Sequence, residues 1–417
     1  MDINFPNSGE PKLLPRAWLI VALLCVVGCL NYLDRIMITT MRESITDSIP
    51  MTDAMFGLLT SVFLWVYGLL SPFAGFLADR FNRSRVIIGS LFLWSLVTWL
   101  TAHAKTFDEL LATRALMGVS EACYLPAALA LITDYHRGNT RSMATGIHVG
   151  GIMIGQSFGF LGGWIAQQSH WNNAFSLFGL IGIVYAILLS FFLRDVPERS
   201  KPEQVEALLG KVSFFSGIRD LFRRRAFILL LIFWSLLGIV GWMILGWLPT
   251  YYKEHFNLSQ ATAGLYATGY IHPLSLAGGL LGGFLSDRWS RKTHAGRILV
   301  PAIALLIASP AIFIAGNTSV VLVAIVGFMF YTFTRIFSDV NLMPILCIIA
   351  DNRYRATGYG VLNMFACIVG GLGIYASGMF RDAHFPMSAL FKMAAVLLLI
   401  CVLLLFMIRS NLKLKAQ

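Results

Sequence analysis

The chain has 417 residues, of which 57% are hydrophobic and only 13% charged, with a mean hydropathy of +0.72. This composition excludes an ordinary soluble domain, in which about 25% of residues are charged, and indicates a polytopic membrane protein. The net charge of +11 does not indicate a nucleic-acid surface, because most of the Lys and Arg residues fall in loops on one side of the apolar spans, where they set orientation and meet anionic lipid.

Runs of roughly 20 apolar residues, enough to cross a bilayer, are predicted at 17–41, 54–78, 86–104, 107–133, 142–166, 174–193, 226–252, 260–285, 297–315, 318–349, 357–380 and 388–409. The fold class is therefore an all-α membrane protein of twelve transmembrane helices in two six-helix halves. The expected divisions are a polar N-terminal segment 1–16, an N-terminal half 17–193, a middle loop 194–225, a C-terminal half 226–409 and a tail 410–417. Residues 1–16 are not followed by a small-residue cleavage site, so the first helix is expected to act as its own insertion signal. The Lys/Arg-poor side carries only Arg42, Lys105, Lys253, Arg381 and Lys392. The positive-inside rule then places both termini, and the anchor Arg223 Arg224 Arg225, in the cytoplasm. The expected location is the plasma membrane, which is the inner membrane if the cell is bacterial.

The first helix contains Asp34 and Arg35, two opposite charges in the outer part of an apolar run, where each costs several kcal/mol unless compensated. They could be the wet flank of a helix ending at Leu33. Six uncharged residues precede Arg42, however, which favours a pair held inside the membrane. After the second helix, Gly75 Phe76 Leu77 Ala78 Asp79 Arg80 Phe81 Asn82 Arg83 recurs in the second half as Gly283 Phe284 Leu285 Ser286 Asp287 Arg288 Trp289 Ser290 Arg291. A fainter echo joins Arg141 Ser142 Met143 Ala144 Thr145 Gly146 to Arg355 Ala356 Thr357 Gly358. Two halves with parallel duplication are the plan of a secondary transporter whose site lies at their interface.

The fourth helix carries Arg114 and Glu121, two turns apart on one face and about 10 Å apart along the axis. Gly118 between them would let another helix or a ligand approach. Their expected partners are the charges of helix one, since buried ions without partners are too costly to keep. Asp34, Arg35, Arg114 and Glu121 are formally neutral together. They could form a static network stapling helix one to helix four, or a proton relay in which protonating Asp34 or Glu121 frees an arginine to hold a substrate carboxylate.

The fifth helix reads Gly150 Gly151 Ile152 Met153 Ile154 Gly155 Gln156 Ser157 Phe158 Gly159. Glycines four apart allow close helix packing, and Gln156 occupies the place where drug antiporters kink at proline. In helix seven, Trp234, Trp242, Trp247, Tyr251 and Tyr252 could stack on a sugar ring, although Trp247 onward fits an interfacial belt better. Helix ten carries Arg335 and Asp339, an i, i+4 pair at a depth matching Glu121. It could pin its own helix or lend an arginine to a dianionic substrate. His148 and His272 are intramembrane imidazoles that could titrate or serve as wall residues. The six cysteines lie in apolar spans with no ligand spacing, so neither disulfides nor a metal site is expected.

The duplicated loop resembles the signature of the major facilitator superfamily. That resemblance implies gate residues Asp79, Arg80, Arg83, Asp287, Arg288 and Arg291, which clamp the cytoplasmic ends together in the outward-open state. The first-helix Asp Arg and the fourth-helix Arg with Glu seven residues later resemble, more narrowly, the anion:cation symporter family, as do Gly246 Trp247 Leu248 Pro249 Thr250 Tyr251 Tyr252 and Asn363 followed by Gly370 Gly371. This resemblance implies Tyr67 and Asn363 as substrate contacts. Arg335 together with Asp339 is a departure from its sugar-acid members. Ser120 Glu121 Ala122 Cys123 Tyr124 is also similar to a segment of spinster-type lipid transporters.

The expected function is proton-coupled symport of a small organic anion, such as a hexuronate or aldonate, by alternating access. Arg35 and Arg114 would bind the carboxylate, Asp34 and Glu121 would carry the proton, and Tyr67 and Asn363 would bond hydroxyls. The alternative is a spinster-like carrier of lysolipid or another amphiphile. No nucleophile and base constellation suggests an enzyme, and a non-transporting receptor would not need a titratable carboxylate. Membrane lipids are the other expected partners; a monomer is expected, with no cofactor and no nucleic acid.

Overall fold

The computed structural model describes residues 16–136, 140–196, 214–293 and 295–412, apart from the side chains of residues 75–80, 214–215, 352 and 356. In lipid every backbone N–H and C=O must be satisfied within the chain, so the apolar runs form helices. The spans are α1 (Ala17–Thr40), α2 (Asp53–Arg80), α3 (Arg83–Thr101), α4 (Phe107–Tyr135), α5 (Arg141–Gln168), α6 (Trp171–Phe192), α7 (Arg225–Phe256), α8 (residues 260–290), α9 (Gly296–Ala315), α10 (Val321–Ile349), α11 (Arg355–Asp382) and α12 (Met387–Asn411). Eleven of these are long and apolar enough to cross a membrane. The glycine-rich α8 falls outside that count and is built from Gln260–Gly264, a π-turn Leu265–Gly269 and Ile271–Ser290. Between α6 and α7, Phe214–Arg223 forms a short helix within the stretch expected as a polar loop. Arg224 beside it binds Asp220 and the Ile349 carbonyl (3.0 Å each).

The helix ends are written in the sequence. Asn82 accepts from the Arg85 N–H (3.0 Å) to start α3, Thr106 from Glu109 (3.3 Å) to start α4, and Ser259 from Thr262 (3.2 Å) to start α8, each satisfying an otherwise orphaned donor. Asn257 closes α7 in the left-handed region (φ 52°), a conformation that Asn tolerates. Two predicted continuous helices are interrupted. α4 breaks at Ala122 and Cys123, immediately after Glu121, and α5 breaks at Phe158 and Gly159.

Twelve crossings put both ends of the described chain on one face, here the terminal face; the other is the distal face. Within the first half α5 lies hard against α1, because a β-carbon on Gly151 or Gly155 would strike the backbone of Cys25 or Cys29. The expected packing role of the α5 glycines is thereby observed. Thr40 fastens the same contact, donating to the Gly159 carbonyl (2.9 Å) and accepting from the Gly163 N–H (3.0 Å). Between the halves α2 packs on α11: Ser61 donates to the Gly371 carbonyl (2.7 Å) and Trp65 to that of Ile368 (3.0 Å).

Candidate functional site

The α1–α5 contact holds the charged turn of α1 toward α2 and α4. Arg35 donates from Nε to Glu121 Oε2 at 2.6 Å, with Arg35 6% and Glu121 0% exposed. The pair expected between helices one and four therefore exists, and a charge-assisted bond of this length is strong. The Arg35 guanidinium lies over the rings of Tyr32, Phe63 and Tyr67 (4.7, 4.9 and 4.4 Å to the centroids), a cation–π cage that replaces part of its hydration.

The other two charges are arranged differently from a closed four-membered network. Asp34, 2% exposed, faces α3, where Oδ2 accepts from Thr98 Oγ1 (3.2 Å) and Oδ1 has no hydrogen-bond partner. Arg114, 1% exposed, has no carboxylate within salt-bridge distance among the described residues. Its Nη1 meets Met117 Sδ (3.0 Å), its guanidinium lies 5.3 Å from the Phe63 ring centre, and its Nε is unpartnered. Phe63 thus touches two guanidinium groups, of which Arg35 closes a salt bridge while Arg114 feels Glu121 and Asp34 only at longer range. Gly118 admits a helix and not a ligand, since a β-carbon there would meet the Phe63 carbonyl and the Tyr67 nitrogen of α2.

Arg35 and Arg114 line one small cavity with Thr39, Phe63, Trp242 and Ile374. It lies between the halves and measures about 20 Å³, room for a water and no organic anion. Tyr67 stacks on Phe63 one turn toward the terminal face (5.9 Å between centroids). Asn363 donates from Nδ2 to Ser71 Oγ across the halves (3.3 Å). From the second half, Arg335 closes the expected pair with Asp339 (2.9 Å) and packs over Gly241 of α7. Asp339 is within electrostatic reach of Tyr32 and Tyr359, so this pair faces the seam. His148 is fully buried between Gly28 and Tyr124, and His272 is buried on α8.

Of the carried-over gate set, Asp79 and Arg80 have side chains outside the described residues. Arg83 pairs with Asp134 inside its own half, and its backbone N–H is accepted by Asp195 (3.0 Å). Asp287 meets Arg297 (3.6 Å), while Arg288 and Arg291 are exposed without an ion partner among the described residues. Among the described residues every ion pair that crosses between the halves lies on the distal face. Glu43 binds Lys253 (2.6 Å), Arg42 binds Glu254 (3.3 Å) and its own half's Asp53, and Asp53 binds Arg381 (2.9 Å). Arg381 also binds Glu254 (2.9 Å), and Asp382 accepts the N–H groups of Asp53 and Ala54 (2.8 and 3.0 Å). The Trp247 ring lies against both Arg42 and Arg381 (5.8 and 5.1 Å from the ring centre).

This cluster was not read from the sequence, although charges of both signs on the Lys/Arg-poor side were a usable signal. Trp247, Tyr251 and Tyr252 are also corrected: they are buried, with Tyr251 donating to the Ala315 carbonyl (2.9 Å) and packed on Phe328 and Phe391, and they form a protein core instead of an interfacial belt.

A model of the Major Facilitator Superfamily matches residues 24–374. The chain is 26% identical over 406 residues to the probable sulfoacetate transporter of Cupriavidus necator, covering 89% of this chain and 90% of that protein. It is 27% identical over 401 residues to protein spinster homolog 3 of Danio rerio, covering 88% and 77%. A bacterial homolog of the human lysosomal transporter spinster, solved in an inward-facing and unoccupied conformation, superposes with a TM-score of 0.78 at 22% identity over 95% of this chain and 96% of that one. With the match covering most of a twelve-helix, two-half bundle, the chain belongs to the Major Facilitator Superfamily and is a multi-pass membrane transporter with similarity to spinster proteins.

Proposed function

We propose that the protein carries a small organic anion across the membrane together with protons, by alternating access of its two halves, and that the substrate is an acid of sugar-acid size such as a hexuronate or aldonate. The observation that carries this reading is Arg114: a guanidinium 1% exposed, without a carboxylate partner, lining the same inter-half cavity as Arg35. A buried cation whose acids, Glu121 and Asp34, act on it only beyond salt-bridge distance is incompletely compensated, which supports a site that takes up an anion from outside. The similarity to a probable sulfoacetate transporter over most of both chains supports an acid as cargo. Arg35 and Arg114 bind it, Tyr67 and Asn363 bond its hydroxyls, and Arg335 with Asp339 meets it from the second half.

In this reading Glu121 is the coupling group and Asp34 its neighbour on the relay. Proton binding by Glu121 releases Arg35 to the substrate; loss of the proton on the far side restores the Arg35–Glu121 bond and expels the anion. With the terminal face in the cytoplasm, the distal ion pairs close the outside in this structure. The duplicated loops at Asp79, Arg80, Arg83, Asp287, Arg288 and Arg291 then close the opposite face in the other half-cycle. A second reading, transport of a lysolipid or similar amphiphile gripped by the same charges, is favoured by the similarity to spinster proteins.

Uptake into proteoliposomes under an imposed pH gradient separates the two. A sugar-acid panel should accumulate above empty vesicles; movement of lysolipid alone would exclude the acid. Glu121→Gln should abolish gradient-driven accumulation while leaving counterflow exchange, and equal loss of both would make Glu121 a structural residue.

A further inference from the structure

The second-half copy of the duplicated loop lies beside a cavity that the transport path does not use. A furrow of about 590 Å³ opens on the outer surface where α8, α9 and α10 meet, floored by Ala304, Thr334 and Phe337. A second hollow of about 560 Å³ continues it along α9 and α10, sharing Ile307 and Phe330 and passing Ala311 and Gly327. The two follow α9 from Val300 to Ile314, about 21 Å at the helical rise, longer than one leaflet of a hydrocarbon core about 30 Å thick. The furrow exists because small residues face one another between larger flanking Ile and Phe side chains. Its walls are apolar except at the terminal-face end, where Arg288, Trp289 and Lys292 form the mouth.

The mouth gives the furrow its selectivity. Arg288 and Lys292 are exposed and their side chains make no ion pair or hydrogen bond among the described residues, while the nearby Asp287 is engaged by Arg297 at 3.6 Å. Two free cations over an apolar slot at membrane depth complement a phosphate headgroup with acyl chains below it, as in basic pockets between membrane helices. Trp289 at the same level suits the interfacial zone. We infer that this furrow is a binding site for an anionic glycerophospholipid of the surrounding bilayer, with the phosphate between Arg288 and Lys292 and an acyl chain along α9 and α10. Arg288 thus serves as a headgroup ligand in this state.

The test is native mass spectrometry of the full chain released from detergent containing equal phosphatidylglycerol and phosphatidylcholine. Phosphatidylglycerol should be retained in preference, and Arg288→Gln/Lys292→Gln, both exposed and therefore safe for folding, should lower its retention by about tenfold or more. Ala304→Trp, which fills the slot and keeps both cations, should also lower it. Equal retention of the two lipids, or unchanged retention in the double variant, would overturn the site. Displacement of the lipid by millimolar inorganic phosphate would reduce it to a headgroup-only anion site and sink the acyl-chain half of the inference. A dimer lost on Ala304→Trp would make a second copy the occupant instead.

Discussion

At the scale of single residues, the four intramembrane charges of the first half divide into one satisfied pair and two ions held by weaker contacts. Replacing Arg35 by Gln leaves Glu121 buried without its only short hydrogen bond, a change that costs about 3–5 kcal/mol in comparable buried pairs. Arg114→Gln removes a cation that closes no salt bridge and has a thioether, a ring and the longer-range charges of Glu121 and Asp34 against it, so thermal unfolding in detergent should fall sharply for Arg35→Gln and much less for Arg114→Gln. Both variants should lose uptake. Equal destabilisation would make Arg114 a structural partner and remove the basis of the anion site. The existence of these charges was legible in the sequence because ions are expensive in an apolar run. Their pairing was not: helical spacing put Arg114 and Glu121 on one face, but the interhelical rotation that gives Glu121 to Arg35 and turns Asp34 toward Thr98 is a property of packing. The same buried position answers the early doubt about a wet flank. Asp34 is 2% exposed, and a cysteine placed there should react with an impermeant thiol reagent far more slowly than one placed at Arg42.

At the scale of elements, α5 determines where α1 sits. Gly155 and Gly150 are both glycines of one helix, yet a β-carbon on Gly155 would overlap the Cys29 backbone while one on Gly150 meets nothing within 4 Å. Gly155→Ala is therefore expected to destabilise by roughly 1–3 kcal/mol through overpacking, whereas Gly150→Ala should be neutral or stabilising by up to about 1 kcal/mol through helix propensity. Thermal unfolding of the two purified variants checks the contrast, and equal values would mean that α1 does not rest on α5 as described. The small-residue spacing announced this packing in the sequence, since only backbone approach explains glycines four apart. The aromatic run of α7 was less legible. Tyr251 and Tyr252 at a helix end look the same whether they face headgroups or a protein core, and only the position of α10 and α12 decides between them. The breaks in α4 and α5 were hidden for a related reason: apolar residues fill the interruption as readily as the helix.

At the scale of the whole molecule, the twelve-span plan and its duplication were readable because membrane thickness fixes span length and because one loop occurs twice. The distal ion cluster was only faintly legible, in charges of both signs on the Lys/Arg-poor side: each member lies at a helix end, where a charge is ordinary, and the clustering comes from how two six-helix halves meet. Asp53 is its hub, binding Arg42 and Arg381 together. Asp53→Asn with Glu254→Gln should weaken closure and expose the cavity to the distal side, raising the labelling rate of a cysteine placed at Thr39 by an impermeant reagent added there. An unchanged rate would assign closure to the remaining contacts between the halves, such as the hydrogen-bonded α2–α11 packing. The site beneath has an electrical consequence. Two acids and two bases sum to zero, so the empty carrier returns across the bilayer without moving charge, and a monocarboxylate accompanied by one proton also moves none. Voltage, worth about 2.3 kcal/mol per charge at 100 mV, then has no hold on the cycle. Clamping proteoliposomes at different potentials should leave accumulation of a monoanion unchanged, while a dianion carried with a single proton should be driven back by an interior-negative potential.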